Sequence, residues 1–227
     1  MKREIIITAD GSQSISIPEM NVTYHSIHGA IQESKHVFIE AGLKSLALNR
    51  QQLNIFELGF GTGLNALLTI IEAEELKKEI YYETVEQFPL DNIEISLLSY
   101  SKQLGREDLQ LTFEQLHNCE WEKRTKLTRG FTFKKSKSNL LTYEAFEPPG
   151  TFGTFDLVFF DAFAPNVQPE LWTNEIFQKV FYMLRTGGVL VTYCSKGDVR
   201  RAMQAAGFIV EKLAGPKGKR EMIRAFR

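Results

Sequence analysis

The sequence predicts an α/β fold, a doubly wound and mostly parallel sheet with an N-terminal extension, and three observations point there. Strand-length apolar runs alternate with helix-length stretches from residue 53 onward, the rhythm of βαβ units. Phe155-Asp156-Leu157-Val158-Phe159-Phe160 is almost continuously apolar, as in a strand covered on both faces. A glycine-rich turn, Gly59-Phe60-Gly61-Thr62-Gly63, joins the first of these strands to the first helix. In such folds ligands bind at the carboxyl ends of the strands.

Taken in order, Leu53–Leu58 reads as a strand, Leu64–Lys78 as a helix and Ile80–Val85 as a second strand ending at Glu86. Leu90–Leu104 has helical character, with Pro89 at a first-turn position where its missing N–H costs nothing. After Phe155–Phe160, Asn174–Leu184 is helical and stops at Arg185-Thr186-Gly187-Gly188, and Val189–Tyr193 is the next strand. Lys196–Ala206 is a helix ended by Gly207, a residue suited to a left-handed cap. Phe208–Leu213 and Glu221–Phe226 are the last strands, around the Gly215-Pro216-Lys217-Gly218 loop. Residues 105–150 are poorly periodic. Residues 1–50 break the rhythm, with the polar turn Asp10-Gly11-Ser12 and the alternating Ile15-Ser16-Ile17. They are expected to form an extension packed on a core domain of residues 51–227, on the substrate side.

A chain of 227 residues is most simply one domain with room for a sizeable core. Its 43% hydrophobic and 24% charged residues and net charge of −1 are those of a soluble globular protein. No apolar run approaches the ~20 residues of a membrane span, and the start, Met1-Lys2-Arg3-Glu4-Ile5, lacks a signal-peptide core. Cys119 and Cys194 give neither a disulfide framework nor metal-ligand spacing, and the four histidines show no metal pattern. A cytoplasmic protein without metal or membrane contact is expected. The charge is segregated. From Lys196 to Arg227 nine basic residues face Asp198, Glu211 and Glu221, and between Trp121 and Leu140 seven face Glu122. The C-terminal cluster, with Arg200, Arg201, Lys217, Lys219 and Arg220, suits a polyanion; the second cluster equally suits a solvated surface.

The glycine turn departs from the dinucleotide fingerprint, which would need glycine where Leu64 stands. Glu57 lies just before the turn, where it would repel a pyrophosphate. An acid there suits a zwitterionic or cationic ligand such as S-adenosylmethionine, with the N–H groups of Gly59, Gly61 and Gly63 presented at a helix N-terminus. Glu86, at the end of the second strand, can accept two hydrogen bonds from ribose hydroxyls; the plainer alternative is a solvated strand end. Asp161 follows the most apolar strand, before Ala162-Phe163-Ala164-Pro165. It can hold and deprotonate an amine while Phe163 packs on a planar group, or it can serve as an Asx-type turn cap.

Several separated motifs resemble the methyltransferase domain of the MnmC family, in the family's order and over nearly the whole chain. They are Glu33-Ser34-Lys35-His36-Val37-Phe38, Gly59-Phe60-Gly61-Thr62-Gly63-Leu64-Asn65, Glu86-Gln87-Phe88-Pro89-Leu90 and Phe160-Asp161-Ala162-Phe163-Ala164-Pro165 with Pro169-Glu170-Leu171-Trp172-Thr173. Val199-Arg200-Arg201 through Ala206-Gly207-Phe208, and Gly218-Lys219-Arg220-Glu221-Met222, complete the set. The resemblance implies a class I, Rossmann-like methyltransferase fold. It also implies transfer from S-adenosylmethionine to the amine of 5-aminomethyl-2-thiouridine in tRNA, any oxidoreductase step being supplied by a separate protein. It places Phe60, Thr62, Asn65 and Gln87 with the cofactor set, and Tyr24, Ser26, Glu33, Ser34 and Pro165 with Phe163 on the substrate side. One departure stands out: where the family often has an adenine-binding acid, this chain has Lys137-Ser138-Asn139, so Ser138 or Asn139 would have to supply that hydrogen bond. A methyltransferase or aminopropyltransferase acting on a small amine, and a catalytically silent RNA-binding module, are the competing readings.

Overall fold

The computed structural model describes residues 2–47, 50–143 and 153–227. Eleven strands are described: β1 Glu4–Ile7, β2 Gln13–Ile17, β3 Val22–Thr23, β4 Gln52–Leu58, β5 Glu79–Val85, β6 Thr125–Thr128, β7 Phe131–Ser136, β8 Phe155–Phe160, β9 Leu184–Thr192, β10 Ile209–Ala214 and β11 Glu221–Phe226. Eight form one sheet in the order β10-β11-β9-β8-β4-β5-β7-β6. Its central members β9, β8, β4, β5 and β7 pair in parallel; β6 pairs antiparallel to β7 at one edge, and β11 antiparallel to both β9 and β10 at the other. The chain winds outward one way from β4 through β5 to β7, then returns to β8 and winds the other way. The switch point of the sheet therefore lies between β4 and β8, where such folds bind their ligands. The predicted fold class is borne out.

All six residues of β8 are buried, as its unbroken apolar pattern requires. Asp156 is tolerated there because its carboxylate is neutralised at the strand's start by Arg50 and by Arg185 at 3.1 Å, and it also accepts the Asn54 N–H at 2.8 Å. One hydrophobic cluster fills the face under the helix Leu64–Leu76; a second fills the opposite face under the helices Asn174–Met183 and Gly197–Ala205.

The N-terminal residues form a three-stranded antiparallel sheet, β1-β2-β3, followed by a helical stretch, Ala30–Ser34, Lys35–Leu43 and Lys44–Ala47, whose middle part is wound as a π-helix. It lies hard against the large sheet: a Cβ on Gly42 would stand 3.0 Å from Val191 and 3.2 Å from Phe159. Arg3 ties the N-terminal strand to the loop after β5, donating to the carbonyl of Phe88 at 2.6 Å and to Glu94 at 3.0 Å.

Some boundaries differ from the sequence pattern. The helix expected over 90–104 is two short ones, Asn92–Ser96 and Tyr100–Gln103, the first nucleated by a capping box between Asp91 and Glu94. β9 begins at Leu184 rather than 189. The chain end secures that segment, through Gly187 N–H to Arg227 O at 2.9 Å and Arg227 N–H to Gly188 O at 3.0 Å. The aperiodic 105–150 stretch holds the helix Gln110–Asn118 and the strands β6 and β7; its last part, from 144, lies outside the described residues.

Candidate functional site

The carboxyl ends of β4, β5 and β8, with the segment after β7, open onto one cavity of about 640 Å³, a size typical of small-molecule sites. Tyr24, His25, Ser26 and Glu33 of the N-terminal segment line its other side. The glycine turn forms the floor. Gly59 sits at φ 88° with room for no side chain, since a Cβ there would stand 2.7 Å from the carbonyl oxygen of Asp161. Gly61, at φ 51°, would place a Cβ 3.0 Å from the Tyr24 ring. Both positions demand the left-handed conformation that glycine alone adopts cheaply.

Glu86 braces this turn from the tip of β5. Its Oε2 accepts the Gly61 N–H at 2.9 Å and its Oε1 accepts the Phe88 N–H at 2.7 Å. A carboxylate has about four lone-pair positions, so acceptor capacity is left beside the cavity that Glu86 lines. Thr62 is held from two sides, by a 2.8 Å hydrogen bond between its Oγ1 and His25 Nε2, and by His117 Nε2 donating to its carbonyl at 3.1 Å. Burial pushes both imidazoles down to about 4, so they are neutral at pH 7.

Asp161 stands directly after β8 on the cavity wall. Its backbone N–H donates to Leu58 O at 3.1 Å, and its Oδ2 accepts from Asn65 Nδ2 at 2.8 Å. Burial, and then the charge of Glu33, pushes its carboxyl up to about 7, against the Asn65 hydrogen bond and the Lys219 cation, which both pull it down. Lys219 reaches in from the β10–β11 loop to pair with Glu33, 3.8 Å above the Tyr193 ring; Glu33 also accepts the Ser26 N–H at 2.7 Å. Tyr193 in turn donates to Ala162 O at 2.9 Å. Phe163 is pinned through its backbone, by Gln168 at 3.0 Å and Trp172 at 2.8 Å, and its ring meets Tyr24 edge-on at 5.4 Å.

Of the residues singled out in the sequence, the cavity brings together Gly59, Phe60, Gly61, Thr62, Asn65, Glu86 and Gln87 on one side. It adds Tyr24, Ser26, Glu33, Asp161, Phe163 and Lys219 on the other, with Ser138 and Asn139 past the end of β7. Gly63 precedes the helix without lining the cavity, and Ser34 and Pro165 lie off it. So do Arg200, Arg201, Lys217 and Arg220, of which the last three are exposed. Glu57 requires a correction. It is fully buried and is absent from the cavity wall, because its side chain points from β4 into the core beneath the turn rather than toward a ligand. Lys219 also differs from expectation: engaged with Glu33 and Tyr193, it is part of the cavity wall and not an open contact for phosphate. His117 and Tyr193 escaped the sequence reading, and His25 was read there only as a surface or substrate-side residue. His117 lies in the aperiodic stretch, and His25 carried no signal beyond its place after Tyr24.

A family model described as S-adenosyl-L-methionine-dependent methyltransferase matches residues 107–227. The chain belongs to this methyltransferase family. S-adenosylmethionine is accordingly its cofactor, and the residues fit it: a glycine turn whose close approach a Cβ would obstruct, and a carboxylate with free acceptor sites beside it. Curated relatives include the tRNA 5-methylaminomethyl-2-thiouridine biosynthesis bifunctional protein MnmC of Nitrosospira multiformis, 32% identical over 213 residues, which cover 88% of the chain and 33% of the relative. The protein of the same name from Cupriavidus metallidurans is 30% identical over 227 residues, 96% of the chain and 33% of the relative. The chain thus spans about a third of these relatives. Among solved structures, MNMC2 from Aquifex aeolicus superposes with a TM-score of 0.78 at 25% identity, over 99% of this methyltransferase and 70% of that chain. These relatives bear out the resemblance read from the motifs. Spermidine synthase from Thermotoga maritima, at TM-score 0.56 and 12% identity over 99% of the chain and 68% of its own, shares the fold alone.

Proposed function

We propose that this methyltransferase acts on the aminomethyl nitrogen of 5-aminomethyl-2-thiouridine at the wobble position of tRNA. The observation that carries the reading is the joining, in one cavity, of the glycine turn and Glu86 to an amine-suited end made by Asp161 and Phe163. The names of the curated relatives supply the nucleoside and the RNA. When bound, S-adenosylmethionine supplies an electrophilic methyl group. Glu86 holds its ribose, the backbone around Gly59 and Gly61 receives its methionine end, and Ser138 and Asn139 flank its adenine.

An alkylamine is mostly protonated at neutral pH, near the lysine reference of about 10.4, and must present a free lone pair. Asp161 takes that proton. A carboxyl raised to about 7 is a better acceptor than an ordinary aspartate, because its affinity for the proton lies closer to that of the amine. Phe163 and Tyr24 pack against the base, and the N-terminal residues close the cavity against water.

Glu86→Ala should weaken S-adenosylmethionine binding by about a hundredfold or more, since each of two ribose hydrogen bonds to a charged group is worth about 1.5–3 kcal/mol. Glu86→Gln should lose less. Calorimetry giving wild-type affinity in folded Glu86→Ala would remove the ribose assignment.

The RNA surface is drawn from the C-terminal cations. Arg201 is paired with Asp198, Lys212 with Glu221 and Arg224 with Glu211, whereas Arg200 and Arg220 act on Glu221 only at longer range and Lys217 is exposed. Replacing these three with glutamine should lower the salt dependence of tRNA binding by roughly two units of slope, with cofactor affinity unchanged. An unaltered slope would move the polyanion surface to the 123–137 cluster. Binding without any salt dependence would favour a small amine as substrate.

A further inference from the structure

Glu33 and Lys219 form an ion pair in the cavity wall, and methyl transfer to an amine does not itself require one. Glu33 comes from the helix Ala30–Ser34 and Lys219 from the loop between β10 and β11. Their side chains keep 8% and 31% of their exposure. Desolvation offsets much of the attraction in a pair so enclosed, and apolar side chains would tie the two segments together as well. What only a charged pair provides is a strong acceptor set beside a strong donor in the wall of the cavity.

Both groups have capacity left. Glu33 Oε1 accepts from Lys219 and its Oε2 accepts the Ser26 N–H at 2.7 Å, which leaves part of the about four lone-pair positions of a carboxylate unused. An ammonium has three donors. One goes to Glu33, and one side of the group rests 3.8 Å above the Tyr193 ring, so a donor remains. The Tyr193 hydroxyl reaches Ala162 O at 2.9 Å, next in the chain to Asp161, which sets Lys219 beside the strand tip that meets the amine. Phe163 and Tyr24 line the same cavity and give it flat apolar contacts, their ring centres 5.4 Å apart.

A uracil ring fits this layout. Its C5, which bears the aminomethyl group, adjoins C4 with the O4 acceptor, and the N3–H donor follows. With the amine at Asp161, O4 calls for a donor and N3–H for an acceptor, in ring order. Cytosine reverses the pattern, with an amino donor on C4 and an unprotonated N3.

We propose that Glu33 and Lys219 select the base, Lys219 donating to O4 and Glu33 accepting the N3–H of the uracil ring, so that an aminomethylated cytosine is rejected. This rests on the reading of the substrate as an aminomethylated wobble base with its amine at Asp161. A cytosine would leave the ammonium facing a donor and the carboxylate facing a lone pair, and charged groups left unpaired away from water are costly.

The test is single-turnover methylation, by the full chain with labelled S-adenosylmethionine, of three anticodon stem-loop RNAs that differ only at the wobble base. The bases are 5-aminomethyl-2-thiouridine, its N3-methyl derivative and 5-aminomethyl-2-thiocytidine. Wild type should prefer the first over each of the others by about a hundredfold or more at subsaturating RNA. Lys219→Met and Glu33→Gln should lose rate on the uridine RNA and narrow the uridine-to-cytidine ratio by about tenfold or more, with S-adenosylmethionine affinity as in wild type. A pair that only ties two segments together would, when broken, slow all three RNAs alike and leave the ratio unchanged; that result, or equal wild-type rates on the three RNAs, would overturn the proposal. Should one variant fail to fold, the other still decides, and equal wild-type rates overturn the selection without either. No label on any of the three RNAs would defeat the reading of the substrate and the selection with it, whereas equal rates leave that reading standing.

Discussion

Asp161→Asn should reduce single-turnover methyl transfer about a hundredfold or more, at saturating cofactor and tRNA, with both affinities little altered. The substitution keeps the size of the side chain and one acceptor oxygen, so the 2.8 Å contact from Asn65 can persist, but it removes the group that takes the proton. Loss of a general base is worth typically that factor. In the wild type the rate should rise as pH passes through about 7, where Asp161 ionises, and the variant should lack that limb. The same shift has a consequence for stability. The folded-state value lies above the ordinary 3.8, so the contribution of Asp161 is fully present below about pH 4 and is lost as pH rises through about 7. At pH 8 the ionised carboxylate is a burden on the fold. Asp161→Asn should therefore be more stable to unfolding than wild type at pH 8, by up to about 4 kcal/mol, and the difference should shrink toward pH 4. A variant that is active at neutral pH and no more stable at pH 8 would leave Asp161 as a turn residue.

Gly61→Val is expected to abolish cofactor binding within the measurable range, a loss of a hundredfold or more, and to destabilise the fold by about 2–3 kcal/mol. Two costs combine. A β-branched residue at φ 51° pays for the left-handed backbone, and its Cβ, 3.0 Å from the Tyr24 ring, pushes branched carbon between the turn and the N-terminal wall. The turn then loses its bond to Glu86, 2.9 Å long in the native chain. Calorimetry together with thermal unfolding separates the two effects. A folded variant with native affinity would show that the turn does not receive the methionine end.

The parts of this arrangement that were legible in the sequence are local. β4, β5, β8 and β11 announce themselves through apolar runs that end at glycine, at acids or at the chain end, and the Glu221–Phe226 strand coincides with its expected span. The turn, Glu86 and Asp161 were legible because each sits within a few residues of a strand tip, and strand tips of a parallel sheet converge. What escaped depends on contacts between distant segments. Lys219 meets Glu33 across 186 residues, so nothing near Lys219 distinguishes it from the exposed Lys217 and Arg220. His117 reaches Thr62 from a helix in a stretch without clear periodicity. Glu57 was read as facing a ligand because its position before the glycine turn allows that; the pleat of β4, which alternates side chains between faces, turns it into the core instead.

The account stands most directly on where the methyl group goes. Bulk tRNA lacking the wobble modification, incubated with the protein and S-adenosylmethionine labelled in its methyl group, should acquire label that digestion and chromatography recover in a single wobble nucleoside, as 5-methylaminomethyl-2-thiouridine, with polyamines in parallel reactions unlabelled. Label on polyamines, on another nucleoside, or on no RNA at all would contradict it.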